Sequence, residues 1–592
     1  MAKYQTSQSG DEWMPANLDA ATELTQHLLK YKFNDYFRPA YFELVNEPHW
    51  SVMGEQKFAD WHTDLHTAVR NEGLNTLVGG PCSSVGYYYS NNYQDLGNFT
   101  QFIDNTQFAL DFYSFHVYDY LNWNATEQTY RGRISTGLPI LGVIDALAAY
   151  TDKTYGKELK MVISEHGGYE LGGSQDATTT MLANQYFPGS GFDWEMERRS
   201  ISNYNMVSSC IANTLVFMDN PHIVQKSVPF ILFESANWDP TYYSSLMVPW
   251  DFSNTNQWAE SQLIHFYEFF QDVSGRRVNM TCEDPDLQHM AFVDGDQLTI
   301  VFNNQSDVPQ TIDINLANSG ASIVSQSIRR LTRQNDFRPS MTSANLPALN
   351  NIQLAGREAV VVSIDYDQPI VEEQLLDEVP FYATEVGTAF SGTKSFQVPM
   401  DSLQKVEYAF LRVGLNRPAG TDQDMTVKLN GTTLTFPMED AANRLEESSR
   451  GYATTKIVHF DPVLLQNNNV VELGFSDGKN GGVGSVVIRA GMRGLYTSLD
   501  ASSVSAFGLA VFPNPASQEL NIRLSSPRKL EQPLVFSLYN LEGKLVNEML
   551  GDLPTATLEY KNRMNIEGFT PGVYILKVRS GDQSAYSRVV IK

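Results

Sequence analysis

Cysteine, positive charge and long apolar runs are all scarce in this chain of 592 residues. Its three cysteines, Cys82, Cys210 and Cys282, are widely spaced and odd in number, so they form neither a disulfide framework nor a metal-binding spacing, and we expect buried thiols. Only 42 Lys and Arg residues stand against 68 Asp and Glu, and the resulting net charge of −26 argues against nucleic acid as a general partner. No run reaches the ~18 apolar residues of a membrane span, so no transmembrane segment is expected.

The first ~270 residues alternate between helical and strand-like patterns, which favours a parallel sheet with helices outside it. Strands are predicted at 41–45, 76–80, 111–118, 160–164 and 228–233, each followed by a helix, and one helix at 17–33 precedes them. A closed barrel of this type needs eight strands. The pattern therefore predicts an incomplete (β/α)8 TIM barrel, strands four to eight, over residues 1–274. From this we expect the chain to be an N-terminal truncation of a longer natural protein.

The remainder of the chain has the short alternating runs and turn signals of β domains. Asp294-Gly295 and Asn430-Gly431 are predicted hairpin turns. The pattern predicts a β-sandwich over 275–367, a second β-sandwich over 368–497, a linker over 498–510 and a small β domain over 511–592.

Two glutamates carry the chemical signal. Glu47 lies in Asn46-Glu47-Pro48 after the run 41–45, and Glu165 lies in Ser164-Glu165-His166 after the run 160–164. Each is therefore expected at the C-terminal end of a buried strand, where barrel enzymes place their active sites. Retaining glycoside hydrolysis needs two such carboxyl groups ~5–5.5 Å apart, one to protonate the leaving oxygen and one to attack the anomeric carbon. Taken singly, either motif could simply end a strand.

Further polar and aromatic residues follow the predicted strands. Glu43 alternates with Glu47 and is interpreted as a core carboxylate or a supporting partner, whereas Glu234 is a rival third carboxylate. His116 has a packing role as its alternative. Aromatic residues suit an extended glycan because sugar rings stack on them, although each could also be loop packing. The candidates for this contact are His49, Trp50, Tyr118, Trp194 and Trp238, and a long loop at 167–199 is expected to wall the cleft.

Together these strand ends resemble the clan of retaining (β/α)8 glycoside hydrolases that includes cellulases, mannanases and β-galactosidases. The resemblance implies that Glu47 is the acid/base, that Glu165 is the nucleophile and that Asn46 hydrogen-bonds the sugar 2-hydroxyl. It also implies that His116, in His116-Val-Tyr118, lies close to the nucleophile and that Trp238 lies under the sugar ring.

The segments Phe42–His49, Asp111–Tyr118 and Val162–Tyr169, with the domain order, resemble the β-agarase/β-porphyranase family over residues 1–495. This resemblance implies endo cleavage of β-1,4 linkages in a red-algal galactan. A sulfated galactan such as porphyran would need Arg or Lys donors in the cleft. Nothing in the sequence shows that Arg131, Arg133, Arg198 and Arg199 converge, so neutral agarose is the expected substrate.

The last ~85 residues resemble the C-terminal sorting domain that the type IX secretion machinery of Bacteroidetes reads. The match rests on Pro513-Asn-Pro, Leu541-Glu-Gly-Lys, Gly572-Val-Tyr and the final Val589-Val-Ile-Lys. It implies a secreted or cell-surface protein with the type IX machinery as a partner, yet Met1–Thr6 has no apolar signal-peptide core.

Alternatives remain at this point. The same mechanism could act on another β-glycan, such as a mannan or glucan, or the chain could be a non-catalytic surface glycan-binding protein. No phosphate-binding loop or His/Cys metal cluster is found, so no cofactor is expected.

Overall fold

The fold is described from a computed structural model, which covers most of the chain. Its described residues are 14–33, 37–84, 87–124, 126, 129–133, 136–170, 177–233, 245–251, 254–317, 320–370, 376–400, 406–438, 451–493, 508–512, 516–525, 532–540, 544–551, 559–580 and 583–592. The chain divides into two units, 1–493 and 494–592.

A parallel half-barrel sheet forms the base of the first unit. Its strands are Tyr41–Glu43 (β1), Leu77–Ser83 (β2), Phe112–Asn124 (β3), Thr129–Arg133 (β4), Met161–Glu170 (β5) and Val224–Pro229 (β6). The order is β1-β2-β3-β5-β6 with every neighbouring pair parallel, and β4 pairs antiparallel with β3 at the side. All carboxyl ends of the five parallel strands therefore meet at one edge of the sheet.

Helices connect these strands, as the alternating pattern predicts. They are Leu18–His27 (α1, continued by a π-helical turn Leu28–Lys32), Trp50–Met53 (α2), Gln56–Asn71 (α3), Gly97–Asn105 (α4), Leu138–Tyr155 (α5), Ala177–Tyr186 (α6), Phe192–Asp219 (α7) and Ile264–Phe270 (α8). In α3 the residues at helical spacing, Phe58, Trp61, Leu65 and Val69, are buried, which confirms the amphipathic pattern.

Two sequence predictions are wrong at this level. The fifth parallel strand was expected at 228–233, but β6 occupies Val224–Pro229. The stretch 167–199 was expected to be a loop, whereas β5 continues to Glu170, α6 spans Ala177–Tyr186 and α7 already begins at Phe192. The start of α7 was missed because the helix is buried over much of its length and buries polar residues as well. Its sequence therefore does not alternate between an apolar and a polar face.

A long hairpin and a β region follow the half-barrel. The hairpin is formed by Met247–Asp251 (β7) and Asn254–Glu260 (β8). The β region comprises Arg276–Val278 (β9), Leu287–Asp294 (β10), Gln297–Asn304 (β11), Gln310–Ile312 (β12), Ile323–Arg333 (β13), Pro339–Asn345 (β14), Ile352–Leu354 (β15) and Ala359–Tyr366 (β16). Six of these strands form one sheet in the order β14-β13-β16-β11-β10-β9, and β12 pairs with β15. Asp294 pairs with Gln297 across the predicted turn.

A second β region contains two further sheets. Its strands are Leu376–Tyr382 (β17), Thr388–Ser391 (β18), Thr393–Pro399 (β19), Val406–Arg417 (β20), Met425–Leu429 (β21), Thr432–Leu434 (β22), Tyr452–Phe460 (β23), Asn468–Phe475 (β24) and Asn480–Arg493 (β25). The sheets run β17-β25-β20-β23, with β18 beside β25, and β19-β24-β21-β22. Asn430 and Gly431 join β21 to β22 with positive φ angles of 51° and 86°, as the hairpin signal predicts.

Helix α5 ties the half-barrel to this second β region. Nearly all of its residues from Leu138 to Thr151 are buried, because the helix also packs against β20, β23 and β25. A buried ion network reinforces the contact. Arg412 of β20, 1% exposed at its side chain, pairs with Asp145 of α5 at 2.5 Å and with Asp219 of α7 at 2.7 Å. Arg277 of β9 lies 2.7 Å from Asp219, so all three parts of the first unit share this carboxylate.

The second unit consists of antiparallel β-strands. They are Gly508–Phe512 (β26), Glu519–Ser525 (β27), Leu534–Asn540 (β28), Leu545–Gly551 (β29), Glu559–Asn565 (β30), Gly572–Ser580 (β31) and Gln583–Ile591 (β32). They form the sheets β26-β27-β30 and β29-β28-β31-β32 around their own apolar core. In the part of the chain that is described, no helix is long and apolar enough to cross a membrane.

Candidate active site

The two predicted glutamates meet at the carboxyl edge of the half-barrel sheet. Glu47 lies four residues beyond the end of β1, and Glu165 lies within β5. Strand β3 runs between β2 and β5, and its parallel register places His116 opposite Glu165. Residues remote in sequence are therefore brought together by strand pairing.

His116 bridges the two carboxylates. Its Nδ1 lies 2.7 Å from Glu47 Oε1 and 3.2 Å from Glu165 Oε2. The Tyr118 hydroxyl donates to the same Glu165 oxygen at 2.8 Å. One oxygen of each carboxylate and the His116 ring nitrogen all lie within 4.8 Å of one another. The nearest carboxylate oxygens are thus closer than the ~6.5–9.5 Å between the carboxyl groups of inverting glycoside hydrolases, which agrees with the shorter ~5–5.5 Å of retaining ones.

Cys82 is a part of this site that the sequence analysis treated only as a buried thiol. Its Sγ lies 3.3 Å from His116 Nε2, 3.6 Å from Asn46 Oδ1 and 3.7 Å from Ser164 Oγ. The usable signal was its position, because Cys82 belongs to the carboxyl end of β2 just as the glutamates belong to strand ends. Burial raises the pKa of the Cys82 thiol, and nearby Glu43 adds to the rise, so the group is a neutral hydrogen-bond donor.

The backbone of the site is held in an uncommon conformation. Glu47 and Cys82 are non-glycine residues with φ of 46° and 56°. Such left-handed residues cost of order 1–3 kcal/mol and persist where the surroundings enforce them. Here the Glu47 amide donates to the Cys82 carbonyl at 3.0 Å, which locks the two strand ends to each other.

Glu165 lies in an environment that disfavours its charge. Its side chain is 19% exposed. Burial raises the pKa of Glu165 and outweighs the lowering by His116 and Tyr118, while the charge of Glu47 adds to the rise. Glu47 is more open, with 38% of its side chain exposed.

Several residues close to Glu47 face solvent, although Pro48 is buried. Asn46 and His49 are exposed, and Trp50 is 41% exposed. His49 caps the short helix α2 by accepting from the Ser51 amide at 3.2 Å. The Trp50 ring packs edge-on against Tyr88 with 6.0 Å between ring centroids. An open aromatic face thus lies three residues from Glu47.

Other predicted site residues lie elsewhere or outside the described part. Trp194 packs against an apolar cluster formed by Leu121, Leu182, Ala183, Ile201, Tyr204 and Phe337. Glu234 and Trp238 fall in 234–244, outside the described residues. Glu43 lies close enough to Cys82 to raise the pKa of that thiol, and its buried Oε1 has no hydrogen-bond partner. Its role as a core carboxylate or a supporting partner stays a prediction.

The same three groups could also accommodate a metal ion. Glu47, His116 and Glu165 offer one ligand atom each, and carboxylate and imidazole are ligands of several divalent cations. The spacing of the two carboxylates also suits acid/base catalysis without a metal. Measuring activity with and without a metal chelator distinguishes a metal site from metal-free catalysis.

Comparison with known proteins adds family information. The profile of "Porphyranase beta-sandwich domain 1" matches residues 286–387, and that of "Secretion system C-terminal sorting domain" matches residues 510–592. The chain is 26% identical over 490 residues to beta-porphyranase A of Phocaeicola plebeius, covering 78% of this chain and 63% of that protein. It is 24% identical over 614 residues to a funoran endo-beta-hydrolase of Wenyingzhuangia aestuarii, covering 98% and 78%. The chain thus spans less than two thirds of the length of the porphyranase.

Solved structures share the fold. A beta-porphyranase of glycoside hydrolase family 86 from the human gut bacterium Bacteroides plebeius matches with a TM-score of 0.65 and 24% identity, over 81% of this chain and 82% of that one. A family 86 structure in complex with neoagarooctaose matches with a TM-score of 0.66 and 20% identity, over 82% and 77%. The predicted resemblance to β-agarases and β-porphyranases is confirmed, and the relatives are glycoside hydrolases. The sorting domain supports a secreted or cell-surface location.

Proposed function

We propose that this protein is an endo-acting retaining glycoside hydrolase that cleaves β-1,4 linkages of a red-algal galactan. The observation that carries the proposal is the pair Glu47 and Glu165, joined through His116 Nδ1 at 2.7 and 3.2 Å. The similarity to a beta-porphyranase and to two beta-agarases supports the substrate class.

In this proposal the more open carboxyl group, Glu47, protonates the leaving oxygen, and Glu165 attacks the anomeric carbon. The glycosyl–Glu165 ester that forms is then hydrolysed by a water that Glu47 deprotonates. The Tyr118 hydroxyl and His116 Nδ1 hold the Glu165 oxygen in place. Such fixed donors matter because a misplaced nucleophile loses much of its rate advantage.

Substrate contacts are proposed for the residues around this pair. Asn46 lies beside Glu47 with its Oδ1 near the Cys82 thiol and would hydrogen-bond the sugar 2-hydroxyl. His49 and the open face of Trp50 would contact the adjoining sugar rings. Trp194, Glu234 and Trp238 stay candidates for more distant contacts.

Neutral agarose is the proposed substrate rather than a sulfated galactan. Arg198 and Arg199 are buried and pair with Glu195 at 2.6 and 3.6 Å, so these two cations are held within α7. A sulfated galactan is the second candidate, because two relatives are named for porphyran and funoran.

We further propose that β1, β2, β3, β5 and β6 correspond to strands four to eight of a (β/α)8 barrel over 1–274. The β regions would form sandwiches over 275–367 and 368–497, and a linker over 498–510 would precede the sorting domain at 511–592. Two layers of β-sheet in each region support the sandwiches. The type IX secretion machinery is the proposed partner of the sorting domain.

The test measures reducing ends released by the purified chain from agarose, porphyran, mannan and β-glucan, with and without EDTA. Release from agarose, insensitive to EDTA, is expected. Glu47→Gln and Glu165→Gln should each reduce kcat at least ~1000-fold, since both groups act on the bond. Glu158→Gln is the matched control, because this exposed acid precedes the opposite end of the strand that carries Glu165.

Nuclear magnetic resonance of the first sugar released should show the β anomer. Release of the α anomer would refute retention. Glycan binding that persists in wild type without any release of reducing ends would refute the enzyme and favour a binding protein. Strong inhibition by EDTA would assign Glu47, His116 and Glu165 to a metal.

A further inference from the structure

We propose that the Cys82 thiol fixes the tautomer of His116, so that the imidazole carries its proton on Nδ1, the nitrogen that both glutamates share. Cys82 is buried, with 3% of its surface exposed, and acts through His116 as a positioning residue. The roles that Glu47 and Glu165 have here rest on the proposed function.

Two carboxylate oxygens face Nδ1 of His116. Glu47 Oε1 lies 2.7 Å away and Glu165 Oε2 lies 3.2 Å away. Glu165 must be charged to attack the anomeric carbon, and a charged carboxylate only accepts hydrogen bonds. An Nδ1 without a proton would turn its lone pair towards this charge, whereas Nδ1–H donates to the oxygens of both glutamates.

The other ring nitrogen, Nε2, faces the thiol. In a neutral imidazole with its proton on Nδ1, Nε2 is an acceptor that needs a donor. The His116 side chain is 0% exposed, so bulk water does not supply that donor. In the described part of the chain, Cys82 Sγ is the hydrogen-bonding partner of Nε2, at 3.3 Å. Burial and the nearby Glu43 raise the pKa of the thiol, so Cys82 keeps the proton that Nε2 accepts.

Two further acceptors lie near the thiol, but both are more distant. Asn46 Oδ1 is 3.6 Å and Ser164 Oγ is 3.7 Å from Cys82 Sγ. The Ser164 hydroxyl can also rotate and donate instead of accepting. Because the imidazole nitrogen is both the nearest and the most basic of the three acceptors, the thiol donates to His116.

The backbone holds Cys82 in this place. Its amide donates to Ser114 Oγ of β3 at 3.1 Å, and its carbonyl accepts from the Glu47 amide at 3.0 Å. These contacts hold Cys82 at its φ of 56°, a conformation that is costly for a residue other than glycine. The donor is therefore a fixed part of the site.

This tautomer determines where the acid proton of Glu47 lies. Because Glu47 Oε1 accepts from Nδ1–H, the proton for the leaving oxygen is held on the other oxygen, Oε2. In the opposite tautomer, Nδ1 would accept that proton from Oε1 and direct it to the ring instead of to the sugar. The thiol thus keeps Glu47 ready to act as the general acid.

Infrared spectroscopy of the S–H stretching band tests the tautomer in the full chain. This band lies apart from other protein bands and falls in frequency when a thiol donates a hydrogen bond. Difference spectra against Cys82→Ser and Cys210→Val identify the bands of these two cysteines. We expect the Cys82 band to lie below that of Cys210, whose thiol faces the carbonyl oxygen of His166 at 3.5 Å. EDTA should leave the Cys82 band unmoved, because an Nδ1 that carries a proton cannot also bind a metal.

Three infrared results would overturn the proposal. A Cys82 band at or above the frequency of the Cys210 band would place a proton on Nε2, as in the opposite tautomer or in an imidazolium. A band that moves with EDTA would show a metal on the ring. A band that rises to the frequency of a free thiol in Asn46→Ala would assign the thiol proton to the amide.

Two substrates distinguish positioning from packing. Agarose has a poor leaving group that needs the acid proton, whereas an aryl glycoside of the same oligosaccharide has a good leaving group that hardly needs it. Cys82→Val should lower kcat/KM roughly tenfold on agarose, about the size of one hydrogen bond. The loss on the aryl glycoside should be clearly smaller, because Tyr118 still donates to Glu165 Oε2.

Cys82→Ser should retain both rates, since a hydroxyl also donates to Nε2 and the conservative change is the safeguard against misfolding of Cys82→Val. Cys210→Val is the matched control, because it makes the same change at a buried cysteine of α7. Equal losses of Cys82→Val on both substrates, or no loss on either, would overturn the positioning role.

The infrared result does not depend on activity. If wild type releases no reducing ends while the Cys82 band is lowered, the proposed enzyme fails and the tautomer stands. If wild type cleaves agarose while the Cys82 band is not lowered, the tautomer alone fails.

Discussion

Replacing Arg412 with methionine should destabilise the half-barrel, although Arg412 lies in the second β region. The substitution keeps much of the side-chain volume but leaves Asp145 and Asp219, 4% and 23% exposed at their side chains, without their shared cation. Removing one partner of a buried ion pair costs roughly 3–5 kcal/mol, because the remaining charge stays in a poorly solvated place. We expect a loss of about this size for Arg412→Met.

Urea unfolding followed by tryptophan fluorescence is the appropriate assay. All eight tryptophans precede residue 260, whereas Arg412 lies in β20. The signal therefore reports whether a change in the second β region loosens the half-barrel. Lys428→Met removes an exposed pair with Glu472, 48% and 39% exposed, and should cost less than about 1 kcal/mol.

Asp219 determines how the difference in stability between wild type and Arg412→Met depends on pH. Burial alone would raise its pKa, but Arg489, Arg277 and Arg412 outweigh burial and lower the pKa from 3.8 to about 2. That drop corresponds to about 2 kcal/mol of stabilisation. Because the folded-state pKa is lowered, this contribution is complete above about pH 4 and is lost as pH falls through about 2.

The difference in the free energy of unfolding between wild type and Arg412→Met should therefore become smaller as the pH falls from 4 to 2. The double variant Arg412→Met/Asp145→Asn should recover part of the loss, with a coupling energy above about 1 kcal/mol. If Arg412→Met lowers the free energy of unfolding measured by tryptophan fluorescence by less than about 1 kcal/mol, these buried charges do not hold the half-barrel and the second β region together.

Three further outcomes are expected at the catalytic site. Trp50→Ala should raise KM for agarose roughly 3- to 10-fold, the size of one aromatic contact, with kcat within twofold, and an unchanged KM would exclude stacking there. Cys82→Val removes the polar group that contacts His116 Nε2 and Asn46 Oδ1 and should lower kcat, whereas Cys82→Ser keeps a polar group there and should retain kcat; equal activity of both variants would show that the thiol only packs. Because Glu47 adds to the raised pKa of Glu165, Glu47→Gln should move the acidic limb of kcat/KM to lower pH on a substrate with a good leaving group, and an unmoved limb would contradict the coupling.

The sequence was most predictive where a local pattern and a strand end coincide. The apolar runs before Glu47 and Glu165 placed both glutamates at one sheet edge, and the structure brings them together. The turns at Asp294-Gly295 and Asn430-Gly431 were also predicted correctly, because the residue types that a tight hairpin turn requires are adjacent in the sequence.

What the sequence left out depends on packing between distant segments. Cys82 reaches His116 because β2 and β3 pair in parallel. Its position after the predicted strand at 76–80 was the one signal that set it apart from Cys210, which lies within α7. The helical start of α7 was missed because the helix is buried over much of its length and its period carries little contrast. The packing of Trp194 against the cluster around Tyr204 and Phe337 likewise has no local signal in the sequence.

The burial of α5 on every side has a consequence for how such enzymes can be rearranged. A gene fragment ending before the second β region would expose to water the part of this largely apolar helix that packs on β20, β23 and β25, and would leave Asp145 without its cation. Exposed apolar surface of that kind promotes aggregation. The half-barrel and the second β region are consecutive along the chain, yet a fragment that contains only one of them should not fold as stably as the two together.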